Sequence, residues 1–438
     1  MPSTHPSHGH AATDNSRALV DEVLRLIIAT EAETRKRQRV STADAFSQAV
    51  EGFLGDLLAA TGEGWIYRPI GRSSFTAIAR SRSDGARAEL SPRAITYRNF
   101  TAVREALRKL GLSEEIPWAA EFGRTATRFR ATPPLQRLAA EYGIPPREAD
   151  KHFVLPLPKR PLRLKGCSRW RGPDKITGTA MEIVYTDKVT ALERTIIDLN
   201  DFIDGFDIRG GRHRGYIRQF ECGDHPQFNW NLGGRLYGVG ADNYQQIGGA
   251  ERLKMTINDR PVCELDVRAS ALTIFQAIHG EPLDFAHNPD PYRFQELSNA
   301  PRELVKTFIN ATFGGGQFPG RWPRGVADEY ELKTGHSLGK RHPIAQVRDA
   351  VAKAYPALAA LRRDDAQPPV WARLQFLESE AVLRSMLALQ AEGVPSLSVH
   401  DSLVVPLDSE QPARDALSYA YNAIAGARPW IVTRYQDQ

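Results

Sequence analysis

Cysteine is scarce in this chain of 438 residues. It has 3, Cys167, Cys222 and Cys263, an odd count without C-x-x-C spacing. Neither a zinc ribbon nor a disulfide framework is expected from such a set. Long apolar runs are missing as well: no stretch approaches the ~20 apolar residues of a membrane-spanning helix. Met1 to Ser16 is rich in Ser, His and Pro and has no apolar h-region, which speaks against secretion. With His5, His8 and His10, this opening stretch reads as a disordered, tag-like tail over residues 1–15 rather than a metal site. A strong excess of one charge is lacking too. Lys and Arg total 57 against 52 Asp and Glu, a formal +5 that is too mild to identify a nucleic-acid partner. Internal repeats are absent. The expectation is a protein of the reducing cytoplasm, without a membrane span and long enough for two or three domains with proper cores.

The basic residues that are present are clustered. Lys159, Arg160, Arg163, Lys165, Arg169, Arg171 and Lys175 crowd one segment with Trp170 among them, and Arg209, Arg212, His213, Arg214 and Arg218 sit among glycines. Such loops suit contact with a phosphate backbone, Arg169, Arg171, Arg212 and Arg214 being the candidates, although like-charge blocks are usually solvated faces. Residues 151–224 therefore read as a basic connecting region. Ahead of it, residues 16–150 alternate amphipathic helices (from Ser16, and Asp44 to Thr61), strands over residues 65–79 about Gly71, a helix from Asn99 to Leu110 stopped by Gly111, and an Arg-rich hairpin from Glu121 to Thr132 near Gly123. Helix, glycine and basic hairpin in that order are similar to a winged-helix module, with ordinary helix–hairpin packing as an equal alternative.

Chemistry concentrates in the second half. Pro261 to Phe275 reads as a strand feeding a helix, with Asp266 where the strand ends; Pro395 to Pro406 reads as a hairpin whose turn displays His400, Asp401 and Ser402. A carboxylate is costly to bury uncompensated, and two brought together can hold a pair of Mg²⁺ ions for phosphoryl chemistry. Between them, Pro301 to Gly314 reads as a helix carrying Arg302 and Lys306 one turn apart, with Phe308 and Phe313 toward its glycine end. Fixed positive charge beside a flat apolar surface suits a nucleoside triphosphate. From Pro319 to Pro369 short helices broken by prolines are expected, then a long helix from Leu374 to Glu392. Glu378 and Glu380 on that helix read as solvent-facing.

In this order the three segments resemble motifs A, B and C of the palm and fingers core shared by family A DNA polymerases and single-subunit phage-type RNA polymerases. Gly234-Arg235-Leu236-Tyr237, followed by Gln245, Gln246 and Arg252, is similar to the Gly-Arg-Leu segment before motif A. The resemblance covers residues 225–438. It implies an α+β fold, a right-hand polymerase with an antiparallel palm sheet and helical fingers, joined to a mixed helical N-terminal region of winged-helix or thumb type. It implies Asp266 and Asp401 as ligands of two Mg²⁺ ions, with Mn²⁺ able to substitute. Lys306 would meet the triphosphate and serve as acid to the pyrophosphate, Arg302 would clamp the same phosphates, and Phe313 would lie beside the nucleotide sugar. His400, Arg235 and Arg252 would face primer and template. Phe313 stands one residue closer to Lys306 than the family's aromatic residue does, so its role is the least secure. Ala271 stands where the DNA enzymes carry a glutamate that obstructs a ribose 2′-OH, and His-Asp-Ser is the RNA enzymes' third motif, whereas Phe313 lacks their tyrosine hydroxyl. Weak sugar discrimination follows, in a primase-polymerase of a plasmid, phage or other mobile element. Its partners would be a DNA template and primer strand, nucleoside triphosphates, and a helicase or replication initiator. A DNA-binding initiator with a non-catalytic palm and a metal-dependent nuclease remain the alternatives.

Overall fold

Two separate apolar cores divide the chain, one built from residues between Ala11 and Phe153 and a larger one from Leu162 onward. The computed structural model describes residues 10–32, 43–58, 65–70, 96–116, 126–145, 148–154, 157–171, 174–240, 243–297 and 299–436. The fold is α+β, with mainly antiparallel sheets. Among the described residues no helix is long and apolar enough to cross a membrane.

In the first core, helices Asp14–Ala32 and Ala43–Leu58 bury the expected apolar stripes. Helix Tyr97–Lys109 is capped at its start by Thr96, whose side chain accepts from the Asn99 N–H at 3.2 Å, and is ended by Gly111 at φ +67°. Strands Ile66–Pro69, Ala126–Ala131 and Ser113–Ile116 form an antiparallel sheet with Ala126–Ala131 at its centre. The hairpin after Gly111 thus starts at Ser113 and not at Glu121. Phe53 packs edge-on against Phe100 and Phe129 at 5.4 Å each, which pins helices to sheet. The strands expected about Gly71 and the turn near Gly123 lie outside the described residues. His10–Ala11, expected within a disordered tail, pairs with Phe153–Val154, and a helix begins at Asp14.

The basic stretch 151–224 feeds the larger core through Leu162, Leu164, Val189, Ile196, Tyr216 and Phe220. There the sulfurs of Cys167 and Cys222 are joined as a disulfide, against the expectation from spacing, while Cys263 is free and buried. The two bonded cysteines come from segments that share one edge of the fold, which no short spacing rule detects.

The sheet that matters for chemistry runs in the order Leu397–Val399, Ser402–Pro406, Arg260–Val267, Thr256–Ile257, Ile208–Arg209, with Ile431–Arg434 also paired to Arg260–Val267. Every pairing in it is antiparallel. Val404, Val405, Cys263 and Leu265 are fully buried, so the two central strands have little choice of register. Helices Ser270–Ile278, Val370–Ala391 and Glu410–Ala425 pack together beside it. Between the Arg260–Val267 strand and helix Val370–Ala391 the chain makes helices Arg302–Gly315, Arg324–Thr334, Leu338–Arg341, Ile344–Ala354 and Pro356–Ala360. Pro301, Pro323, Pro343 and Pro369 stand at N-caps and Pro356 in a first turn, where the missing N–H is no loss.

Candidate active site

Register brings the two sequence-distant aspartates to one end of the sheet. Asp266, near the end of its strand, pairs across to Ser402 on one side and Val432 on the other. After Val267 the chain turns through Ala269, at φ +53°, into helix Ser270–Ile278. Leu397–Val399 and Ser402–Pro406 are joined by a two-residue turn of His400, at φ +58°, and Asp401. Ser402 Oγ donates to Asp266 Oδ1 at 2.8 Å, and Arg434 Nη2 donates to Asp266 Oδ2 at 2.7 Å. Asp401 is half-buried, and its carboxyl is pushed up to about 8 by burial, then by the nearby charges of Glu378 and Asp266. The three carboxylates therefore lie within electrostatic reach of one another.

Glu378 was expected at the surface and is 3% exposed. It accepts from Arg235 Nη2 at 2.6 Å and from Ser270 Oγ at 2.8 Å. Glu380 is likewise engaged, by the fully buried Arg218. Arg235 follows Gly234, whose φ of +80° and whose neighbours, Ser379 Oγ at 3.1 Å and Arg218 Nη2 at 3.2 Å from the place a Cβ would take, leave room for glycine alone. The signal for Glu378 was in the sequence. It sits one helical turn from Leu374 and from Val382, both buried, and so falls on the apolar stripe.

On helix Arg302–Gly315, Lys306 is half-buried, and its side chain makes no hydrogen bond or ion pair with a described residue. Arg302 is committed: Nε donates to Asp290 and Nη1 to Glu303, both at 2.8 Å, and its guanidinium lies 4.9 Å from the Tyr292 ring. Burial raises the Tyr292 hydroxyl's pKa, Arg302 opposes the rise and Asp401 adds to it, so this helix end is electrostatically joined to the aspartates. Phe313 is buried with its ring 5.3 Å from Phe275, a core position. Ala271 is half-buried in the first turn of helix Ser270–Ile278. His400 exposes one side of its ring, while burial of the remainder and then Arg235 hold its imidazole below the ordinary value.

The other basic candidates separate into classes. Arg252 is a buried structural partner and not a template-facing residue: Nε and Nη2 donate to Glu264 at 2.9 and 3.0 Å. The second basic cluster is no solvated loop. Arg218 is buried, Arg209 pairs with Asp207 and Asp259, and His213, packed 4.6 Å from the Tyr216 ring, is pushed down to about 3 by burial. Arg212 and Arg214 are half-buried. Arg169 and Arg171 lie in a short hairpin with Asp174–Ile176, their side chains outside the described atoms.

Among the described residues, no group of three or more His, Cys, Asp and Glu side chains is arranged to hold a metal ion. Asp266 and Asp401 offer two hard carboxylate donors, the type that Mg²⁺ takes alongside water and substrate phosphates. The crowding that keeps a proton on Asp401 is what a divalent cation would relieve, so the donor set fits.

No family model matches the chain, and no curated protein matches it. Among solved structures, it is similar to the POL domain of Pol1 from M. smegmatis in complex with DNA primer-template and dNTP, at 16% identity and a TM-score of 0.28. The match covers 56% of this chain and 50% of that one, so the chain spans about half the length of the relative. A likeness of that size does not establish a shared architecture or activity.

Proposed function

We propose that the chain is a template-directed nucleotidyltransferase with a right-hand palm and fingers core over residues 225–438. The observation that carries this reading is the meeting of Asp266 and Asp401 at one end of an antiparallel sheet, with the N-terminal end of the Lys306 helix in electrostatic contact through Tyr292. Asp266 and Asp401 would hold the divalent cations, Mg²⁺ or in its place Mn²⁺. When bound, these supply the positive charge that favours an ionised attacking hydroxyl and a departing pyrophosphate.

A 3′-OH attacks the α-phosphorus, the bond to the pyrophosphate oxygen breaks, and the hydroxyl proton passes to solvent. Lys306, with no internal partner to give up, meets the triphosphate tail and can hand a proton to the leaving group. Arg302 is already held by Asp290 and anchors the helix at Tyr292, so its part in the phosphate clamp is secondary. His400 presents a ring at the turn for the primer end. Ala271 leaves space beside a ribose, and Phe313 acts through packing on Phe275 rather than by a hydroxyl, which supports tolerance of both sugars. Residues 16–150 supply duplex contacts of winged-helix or thumb type. DNA template, primer and nucleoside triphosphates are the partners, with a helicase or initiator alongside, in the cytoplasm.

The test is incubation of the chain with a primed and an unprimed template, Mg²⁺, and either dNTPs or NTPs. Incorporation that is lost in both Asp266→Asn and Asp401→Asn is expected. No incorporation from either nucleotide set, or strand cleavage in Mg²⁺ without nucleotides, would overturn the reading, the latter in favour of a nuclease.

A further inference from the structure

One carboxylate outside the aspartate pair ties together four elements around it. Glu378, on helix Val370–Ala391, accepts from Arg235 of strand Gly233–Gly238 through Oε1 and from Ser270, in the first turn after Asp266, through Oε2. The Ser270 oxygen lies 2.9 Å from Tyr421 Oη of helix Glu410–Ala425. Since the Ser270 proton is given to Glu378, the phenol is the donor to Ser270. Both oxygens of a carboxylate that is 3% exposed are thus satisfied. Arg235 has a further capacity. Its side chain is 30% exposed, it lies within electrostatic reach of Asp401, and its buried Nε has no hydrogen-bond partner.

We infer that Glu378 is the positioning residue of the site: it fixes the Arg235 guanidinium beside Asp401, so that the donors Glu378 leaves free meet a phosphate or sugar oxygen of the polynucleotide strand whose end reacts. The choice of carboxylate matters, because a neutral amide would hold the guanidinium without countering its charge. Ser270 and Tyr421 keep that carboxylate from turning away, and they tie its orientation to the turn that presents Asp266. Glu378 is not itself a metal ligand, since both its oxygens are already used. The inference rests on the polynucleotide-handling function proposed above.

The test uses four full-length chains: wild type, Glu378→Gln, Arg235→Gln and the double variant. Nucleotide kcat and KM, the Mg²⁺ concentration for half-maximal rate, the Kd for a fluorescent primer–template and the thermal midpoint are measured for each. Both single variants are expected to weaken primer–template binding and to lower kcat by up to about a hundredfold, the scale of a misplaced contact. The double variant should be no worse than Arg235→Gln alone, and the Mg²⁺ requirement should stay unchanged. Losses that multiply in the double variant, a Mg²⁺ requirement shifted by Glu378→Gln, or losses that merely follow the thermal midpoint would overturn the inference. Should Glu378→Gln fail to fold, Arg235→Lys replaces it in the comparison. That variant keeps the charge but not the fork, and it must weaken binding at an unchanged midpoint. If the wild type incorporates no nucleotide, the polymerase reading fails, and the binding arm alone then decides whether Glu378 and Arg235 act as one unit on nucleic acid.

Discussion

Replacing Asp401 by asparagine should make the metal-free protein more stable, by an amount that grows with pH. In the unfolded chain the carboxyl titrates near 3.8, whereas in the folded protein burial, then Glu378 and Asp266, push it up to about 8. The favourable contribution of the bound proton is fully present below the unfolded value and is lost as pH rises through the folded one. Each pKa unit is worth about 1.4 kcal/mol. Relative to the acid limit, the wild type therefore forfeits ~1.6 kcal/mol by pH 5 and ~4 kcal/mol by pH 7, and levels off above about pH 8. Asp401→Asn carries no such charge, so its advantage over wild type should widen across that window. Urea denaturation in EDTA at pH 5, 6, 7 and 8 reads the difference directly. Mg²⁺ should narrow the gap by stabilising only the wild type, since the ligand must be ionised and the cation replaces its proton. Parallel stability curves for the two proteins, or a variant that is less stable at every pH, would refute the crowded-carboxylate argument and with it the fit of the site to a cation.

Three further outcomes follow from the same geometry. Lys306→Ala removes a charge-assisted contact to phosphate worth roughly 1.5–3 kcal/mol, so kcat/KM for the nucleotide should fall about tenfold to a hundredfold; nucleotide titrations in which it stays within twofold would exclude Lys306 from the site. Arg252→Met strands the buried Glu264 carboxylate and should cost about 3–5 kcal/mol of stability in urea with little change in template affinity, whereas a stable variant with impaired DNA binding would restore Arg252 as a template contact. Arg434→Gln frees the Asp266 Oδ2 that a cation would compete for; this pair is half-exposed, so only a few-fold lower Mg²⁺ requirement is expected, and a requirement that rises would mean that Arg434 helps to hold the site together.

What was legible in the sequence was whatever a short window can contain. The Arg260–Val267 strand, the hairpin around Asp401 and the proline-started helices from Pro301 to Pro369 each carry their own local signal: alternating apolar residues, a polar turn, a missing N–H at a helix start. Asp266 and Asp401 stood out because an acid at the end of a buried strand contradicts its surroundings. Charge was the misleading signal, since a basic residue's sequence neighbours do not reveal which acid will neutralise it. Arg218 finds Glu380 162 positions away, and Arg434 reaches Asp266 from 168 positions away. Two arginines that read as one basic loop with Arg212 and Arg214 are therefore spent internally, Arg218 on Glu380 and Arg209 on Asp207 and Asp259.

Glu378 marks the boundary between these two kinds of information. Its place on the apolar stripe of helix Val370–Ala391 already said that it would be buried, and a buried carboxylate requires a cation and a donor from elsewhere. The helix pattern names neither. Only the sheet register, which sets Arg235 and the turn after Asp266 against the same helix face, supplies Arg235 and Ser270 as those partners. A charged residue on an apolar stripe is thus better read as a demand for a distant partner than as an exposed exception, and when that partner also lies beside a crowded aspartate, the pair belongs to the site and not merely to the scaffold.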